Sequence, residues 1–223
     1  MAAESSKERP PASQTGARKA PGLKQERAVR TRGVVLDAAA EAFAAKGFPA
    51  VTVLDVAELA GVTKGAVYFH FANKDALAQA VAEEFYELQA AIAAGVRAAD
   101  LSPLDAVAEL LTRTALAFRD NRTVQAGARL QIERSLIGAD LPMPYLGYTD
   151  SVTTWLQQAK DTAQLPTDAQ PEALARVLVS AFFGAQHISW VLNDRADIAE
   201  RVQELIDVVV PRPARKPARR KSA

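Results

Sequence analysis

Apolar residues recur along most of this chain at spacings of three and four, and the strict alternation of a half-buried strand is absent. From residue 25 to 46 the stripe of Leu36, Ala39 and Phe43 predicts a first helix. Gly47 stops it, and Phe48 is placed to cover its end. Thr52 reads as an N-cap with Asp55 as its capping-box partner, followed by Val53, Val56, Ala57 and Ala60 at helical spacing. Gly61 ends this second helix. Thr63 caps a third, which carries Lys64 to His70. Asn73 caps a fourth helix through Leu77, Val81, Phe85 and Leu88 to about residue 96, with Asp75 in its first turn, where the helix dipole favours an acid. Ser102-Pro103 opens a fifth helix that ends near Asn121. A sixth is predicted over 123–136, a seventh over 145–164 and an eighth over 171–192. The ninth spans 196–210 and is stopped by Pro211. The expectation is an all-α chain of nine helices, three in an N-terminal module and six beyond it.

Composition adds limits. Hydrophobic residues make up 49% of the 223 positions, enough for a sizeable core. There is no cysteine, so disulfides and thiolate chemistry are excluded. No uninterrupted apolar run approaches the ~18 residues of a membrane span, and the polar, basic N-terminus is not a secretory signal. A cytoplasmic protein without membrane association is expected. The net charge of +1 hides an asymmetry: residues 1–24 carry five basic and two acidic side chains, and residues 25–80 balance six against six. Residues 81–211 carry ten basic against eighteen acidic, and residues 212–223 carry six basic and none acidic. An acidic body suits a part held away from DNA, whereas basic ends either add phosphate attraction or merely keep the chain soluble. The organisation expected is a disordered basic tail (1–24), a helix-turn-helix domain (25–75), a second helical domain (76–211) and a second disordered basic tail (212–223).

Residues 52–75, TVLDVAELAGVTKGAVYFHFANKD, carry the main signal. Two short helices joined by a tight turn, with small Ala57 at their crossing and Val62 and Val67 filling the angle, are the pattern of a helix-turn-helix. Spacing alone leaves an ordinary packed helix pair open. The residues go further: the stretch TxxDVAELAGVTKGAVYFHFANKDAL closely resembles the DNA-binding module of the TetR family of bacterial transcriptional repressors, without a gap from about Arg32 to Leu77. A single recognition helix touches too few base pairs for a unique address, so a homodimer on a palindromic double-stranded operator is expected. Lys64 is the best base reader, because lysine donates to guanine O6 and N7. Thr63 and Ala66 suit a thymine methyl or a phosphate, and Gly65 lets backbone approach the duplex. Tyr68, His70 and Lys74 are assigned to phosphates, the last beside the free amides that open the fourth helix. Thr52 is a further phosphate candidate. Arg30 and Arg32 are placed to reach the backbone or the minor groove. Phe69 and Phe71 are expected to pack the module.

Beyond the module, VQAGARLQIERSL (124–136), LPMPYLGY (141–148) and AFFGAQHISWVLNDRADI (181–198) resemble the γ-butyrolactone receptors of Streptomyces and relatives that bind furan-type signals. One position departs. Where those receptors carry a pocket tryptophan four residues after a proline, this chain has Pro144 followed by Tyr148, which suits a related but more polar signal. The residues make their own case. Tyr145, Tyr148, Val152 and Trp155 share a helical face, a stripe that is more often core than ligand wall. Tyr86, Gln131 and Tyr145 are the leading candidates for hydrogen bonds to a small apolar signalling molecule. Phe183, Gln186, His187 and Trp190 follow, with His187 open to a purely structural role. The resemblance also implies that the last two helices pair with their symmetry mates, with Leu174, Leu178, Phe182, Leu192, Val202, Leu205 and Val209 as apolar faces; an intramolecular core is the alternative for these.

The function expected is a ligand-responsive repressor, released by a γ-butyrolactone- or furan-like signal and controlling antibiotic or other secondary-metabolite genes. Ligand would displace the fourth helix and spread the recognition helices. A repressor of efflux or catabolic genes sensing an unrelated apolar ligand is the alternative, followed by a helical scaffold for proteins. An enzyme is not expected: no P-loop, GxSxG, HExxH or GxGxxG occurs, two histidines and no cysteine leave little for metal chemistry, and no cofactor is implied.

Overall fold

The structure, a computed structural model, describes residues 21–210; the two basic tails otherwise lie outside them. Nine α-helices and one 3-10 turn are present among the described residues: α1 (Pro21–Lys46), α2 (Val53–Leu59), α3 (Lys64–His70), α4 (Lys74–Arg97), α5 (Pro103–Asp120), α6 (Arg122–Ile132), the turn Arg134–Leu136, α7 (Leu146–Asp161), α8 (Pro171–Asn193) and α9 (Ile198–Val209). The all-α expectation holds, with four differences at the ends. α1 opens four residues early, at Pro21, inside the stretch assigned to the N-terminal tail. α6 gives way after Ile132 to the 3-10 turn. α7 stops at Asp161, because Ala163 adopts a left-handed backbone and the amides of Gln164 and Leu165 turn back to the Ala159 carbonyl. α9 starts two residues late, at Ile198, because Asp194 and Arg195 occupy the left-handed region after α8.

Local chemistry explains the head. The Thr52 hydroxyl accepts from the Asp55 amide while the Asp55 carboxylate accepts from the Thr52 amide, which completes the capping box. That carboxylate is held far below its ordinary range first by the Thr52 hydroxyl, which donates to it at 2.5 Å, then by the Thr52 amide and by Lys46 at 3.1 Å. At the other end of α2 the Val62 and Gly61 amides donate to the Ala57 and Glu58 carbonyls, the paired bonds of a Schellman turn. Thr63 and Asn73 cap α3 and α4 through the amides of Ala66 and Ala76.

Two apolar cores result. The head core joins Phe43, Val56, Val67, Phe71, Leu77 and Val81. It is not made by the head alone, because Ala126 and Leu130 of α6 and Ile137 and Leu141 beyond it close its underside. The body core gathers α5, α7, α8 and α9 around Leu110, Phe118, Leu156, Leu178 and Phe182. α6 presses on α4 so closely that a Cβ at Gly127 would stand 2.3 Å from the Phe85 side chain, so only glycine fits.

α8 is the one described helix long and apolar enough, by length and composition, to cross a membrane. The packing accounts for its character with two apolar faces. Leu178 and Phe182 are fully buried in the body, while Val177, Ile188 and Val191 line the opposite side with Gly184 between them. Of the interface residues expected, Leu178, Phe182 and Val202 therefore belong to the intramolecular core, and Leu174, Leu205 and Val209 pack against it. Leu192 alone is openly exposed.

Candidate DNA-reading surface and ligand cavity

α3 is anchored by Val67, which is fully buried, and by the Thr63 cap. Its outer ridge carries Lys64, Gly65, Tyr68 and Phe69, all exposed. The Lys64 ammonium sits 5.8 Å from the centre of the Tyr68 ring. Lys64 and Tyr68, two of the side chains expected to face DNA, are thus in the open, and nothing in the head crowds a Cβ at Gly65. Ala66 is half-buried beside the ridge, and His70 is half-exposed with its ring edge-on to Phe69 at 5.0 Å.

Three expectations change here. Phe71 packs the module, but Phe69 does not: it is 78% exposed and extends the ridge. Lys74 is not free for a phosphate, because its ammonium donates to the Phe48 carbonyl at 2.8 Å and lies over the Phe48 ring at 4.2 Å. The Thr52 hydroxyl is engaged by its own cap, although the residue is exposed. Arg30 and Arg32 are exposed on α1, and the Arg32 guanidinium rests over Phe71 at 5.0 Å.

The body encloses a cavity of about 480 Å³ between α4, α6, α7 and α8. Phe85, Ala93, Ala128 and Phe183 give it apolar walls, and Tyr86, Gln131, Tyr145, Tyr148, Gln186 and His187 also line it. The structure brings seven of the nine expected ligand residues together. Trp155 is not among them: it is 7% exposed and points into the body core. Trp190 is also outside the cavity, between the guanidinium groups of Arg129 at 5.4 Å and Arg195 at 4.8 Å. Tyr145 caps α7 from a left-handed backbone, φ +67°, a strained position for a bulky residue. Its ring meets Phe183 edge-on at 4.7 Å.

The polar atoms of this cavity are its chemistry. The Tyr86 hydroxyl, both amide atoms of Gln89 and Gln131, the Gln186 amide nitrogen and the Tyr148 hydroxyl are buried without a protein partner. The Tyr148 hydroxyl lies by that of Thr114 without completing a hydrogen bond. Buried polar groups are normally paired, so such a concentration marks a site for a polar guest. Burial, and secondarily the nearby Tyr145, pushes Tyr86 up to about 12, and burial raises Tyr148 further. Both remain neutral phenols that can donate. Gln89, missed in the sequence, follows Tyr86 by three residues and so shares its helical face. The exposed Arg97 at the rim also went unnoticed.

An open cationic and aromatic ridge on a helix-turn-helix, joined through α4 to a body with a polar-lined apolar cavity, defines a DNA-binding protein with a separate ligand chamber. Comparison with known proteins agrees. The profile of bacterial regulatory proteins of the tetR family matches residues 35–81. A solved structure presented as the molecular basis for control of antibiotic production by bacterial hormones is 49% identical, with a TM-score of 0.75 over 81% of this chain and 96% of that one. The A-factor receptor protein of Streptomyces griseus is 32% identical over 84% of this chain, which spans 65% of the receptor's own length. A γ-butyrolactone receptor described as ArpA-like is 27% identical, with a TM-score of 0.66 over 82% of this chain and 99% of that one. A tetR regulator of Streptomyces fradiae is 31% identical, with a TM-score of 0.62 over 84% of this chain and 90% of that one, and the chain belongs to the tetR family of bacterial regulatory proteins.

Proposed function

We propose that this chain is a ligand-responsive transcriptional repressor. It binds a palindromic operator as a homodimer through Lys64 and the α3 ridge. A small γ-butyrolactone- or furan-like signal releases it, and antibiotic or other secondary-metabolite genes are its targets. The observation that carries the reading is the cavity: Tyr86, Gln89, Gln131 and Tyr148 hold unpartnered polar atoms in apolar walls, and two of these four sit on α4, whose first turn is part of the head. The relatives support the class of signal, one being an A-factor receptor and another a γ-butyrolactone receptor. Tyr148 favours a guest richer in acceptors than a simple lactone. The apolar stripe of Val177, Ile188 and Val191 on α8 supports a second copy as the partner that covers it.

Binding of DNA and signal must be coupled through differential affinity for two arrangements of the protein. The experiment is fluorescence anisotropy with a labelled duplex from the region upstream of the protein's own gene. The expected result is tight binding that weakens steeply with salt and is lost on adding a synthetic alkyl γ-butyrolactone or alkyl furan. Unchanged affinity across a panel of such probes sinks the ligand class; no binding to any upstream duplex sinks the repressor.

A further inference from the structure

The head and the body are joined at a second place besides α4. On α6 the Arg129 guanidinium donates to the carbonyls of Ala44 and Ala45, at 3.1 and 3.0 Å, and so closes the C-terminal end of α1. Its Nε donates to Glu133 at 3.1 Å, and the other Glu133 oxygen accepts the Phe48 amide at 2.6 Å. The Phe48 carbonyl is in turn taken by Lys74. The corner between α1 and α2 is therefore held on one side by the body and on the other by α4. Gly47 shows how tight the fit is: its φ is +79°, and a Cβ there would stand 2.5 Å from Glu133 Oε1 and 2.7 Å from Arg129 Nε. Both guanidinium and carboxylate are about four-fifths buried, so these are strong, weakly screened contacts.

The same arginine is linked to the cavity wall through one intervening ring. Its guanidinium lies over the Trp190 ring at 5.4 Å, and that ring meets His187, a cavity residue, edge-on at 5.8 Å. Arg129 is also two residues from Gln131, another cavity residue. Trp190 has a second cation, Arg195, at its ring. Two like charges share one aromatic ring, so a small shift of α8 changes how that ring is divided between them.

We infer that Trp190, Arg129 and Glu133 form a relay that carries the state of the ligand cavity to the corner of the head, in parallel with α4. A guest bearing on His187 or Gln131 displaces the Trp190 ring or α6, loosens the Arg129 fork from the end of α1, and lets the Glu133–Phe48 bond open. The three act as positioning residues: they touch neither DNA nor guest. The inference rests on the ligand-released repressor reading for its purpose, but not for its first test.

That test uses the full chain without ligand. Hydrogen exchange is followed over residues 44–50 in the wild type, Trp190→Phe and Trp190→Leu. The expected result is exchange on the order of tenfold faster in Trp190→Leu, with Trp190→Phe, which keeps an aromatic face, close to wild type. Unchanged exchange in Trp190→Leu, while Glu133→Ala speeds it, overturns the relay. The second test measures duplex affinity with and without an alkyl γ-butyrolactone probe in Arg129→Met and Trp190→Leu. The release factor is expected to fall several-fold, with the α4 route carrying what remains, and the ligand-free duplex affinity to fall with it, since both variants loosen the corner as the guest does. A full release factor in both variants overturns the relay. If no probe releases the wild type, the ligand class has failed, and hydrogen exchange alone decides the relay.

Discussion

Tyr148 carries a polar atom that the free protein leaves unsatisfied. Its hydroxyl is sealed from solvent without a partner, which destabilises the fold relative to a ring lacking that oxygen. Tyr148→Phe is accordingly expected to raise stability by about 1 kcal/mol in chemical denaturation and to weaken binding of a polar lactone or furan. Equal stability with undiminished binding would remove the hydroxyl from the site. Phe69 makes a similar point for the head. Its aromatic character invited a core position, but the turn of α3 that buries Val67 turns Phe69 outward. A hydrophobicity pattern over a seven-residue helix has too few turns to fix which face is which.

Among the elements, helix existence and most caps were legible because they depend on local chemistry. Thr52 with Asp55, Thr63, Asn73 and Ser102-Pro103 each name a start that the structure confirms. The break after Ile132 and the left-handed pair Asp194 and Arg195 were not legible, since neither carries the glycine that usually marks such a turn. Cavity residues on α6, α7 and α8 were found from polar tips in apolar stripes. Trp155 and Trp190 were misplaced because tertiary packing alone decides which side of a stripe faces a cavity. Asp197 fastens the start of α9 to the end of α8: it accepts from Ser189, from Asn193 at 2.6 Å and from Arg201 at 2.7 Å. These bonds, led by Ser189, hold its carboxyl at about 2, below the ordinary 3.8. The charged form is thus favoured by folding, so its contribution is present above pH ~4 and is lost as pH falls towards 2. Asp197→Asn is expected to lower the denaturation midpoint at neutral pH and to flatten its decline between pH 4 and 2. An unchanged pH profile would show that the junction does not depend on this carboxylate.

At the scale of the whole molecule, the free side of α8 is the proposed seat of a second copy. Ile188→Asp places a charge amid Val177, Gly184 and Val191, where a second copy would have to bury it. The expected outcome is a monomer in sedimentation, still folded by circular dichroism, with upstream-duplex affinity reduced by at least tenfold because half-site pairing is lost. A dimer of unaltered mass would move the interface elsewhere. The clamp on Phe48 has its own consequence for engineering. A head grafted from another regulator at the start of α4 would bring a foreign corner to a body that still presents Arg129 and Glu133. Any Cβ in place of Gly47 would collide with them. Interchangeable reading heads for this body must therefore be chosen by the small residue at that bend, and a chimaera that ignores it should answer only weakly to the signal.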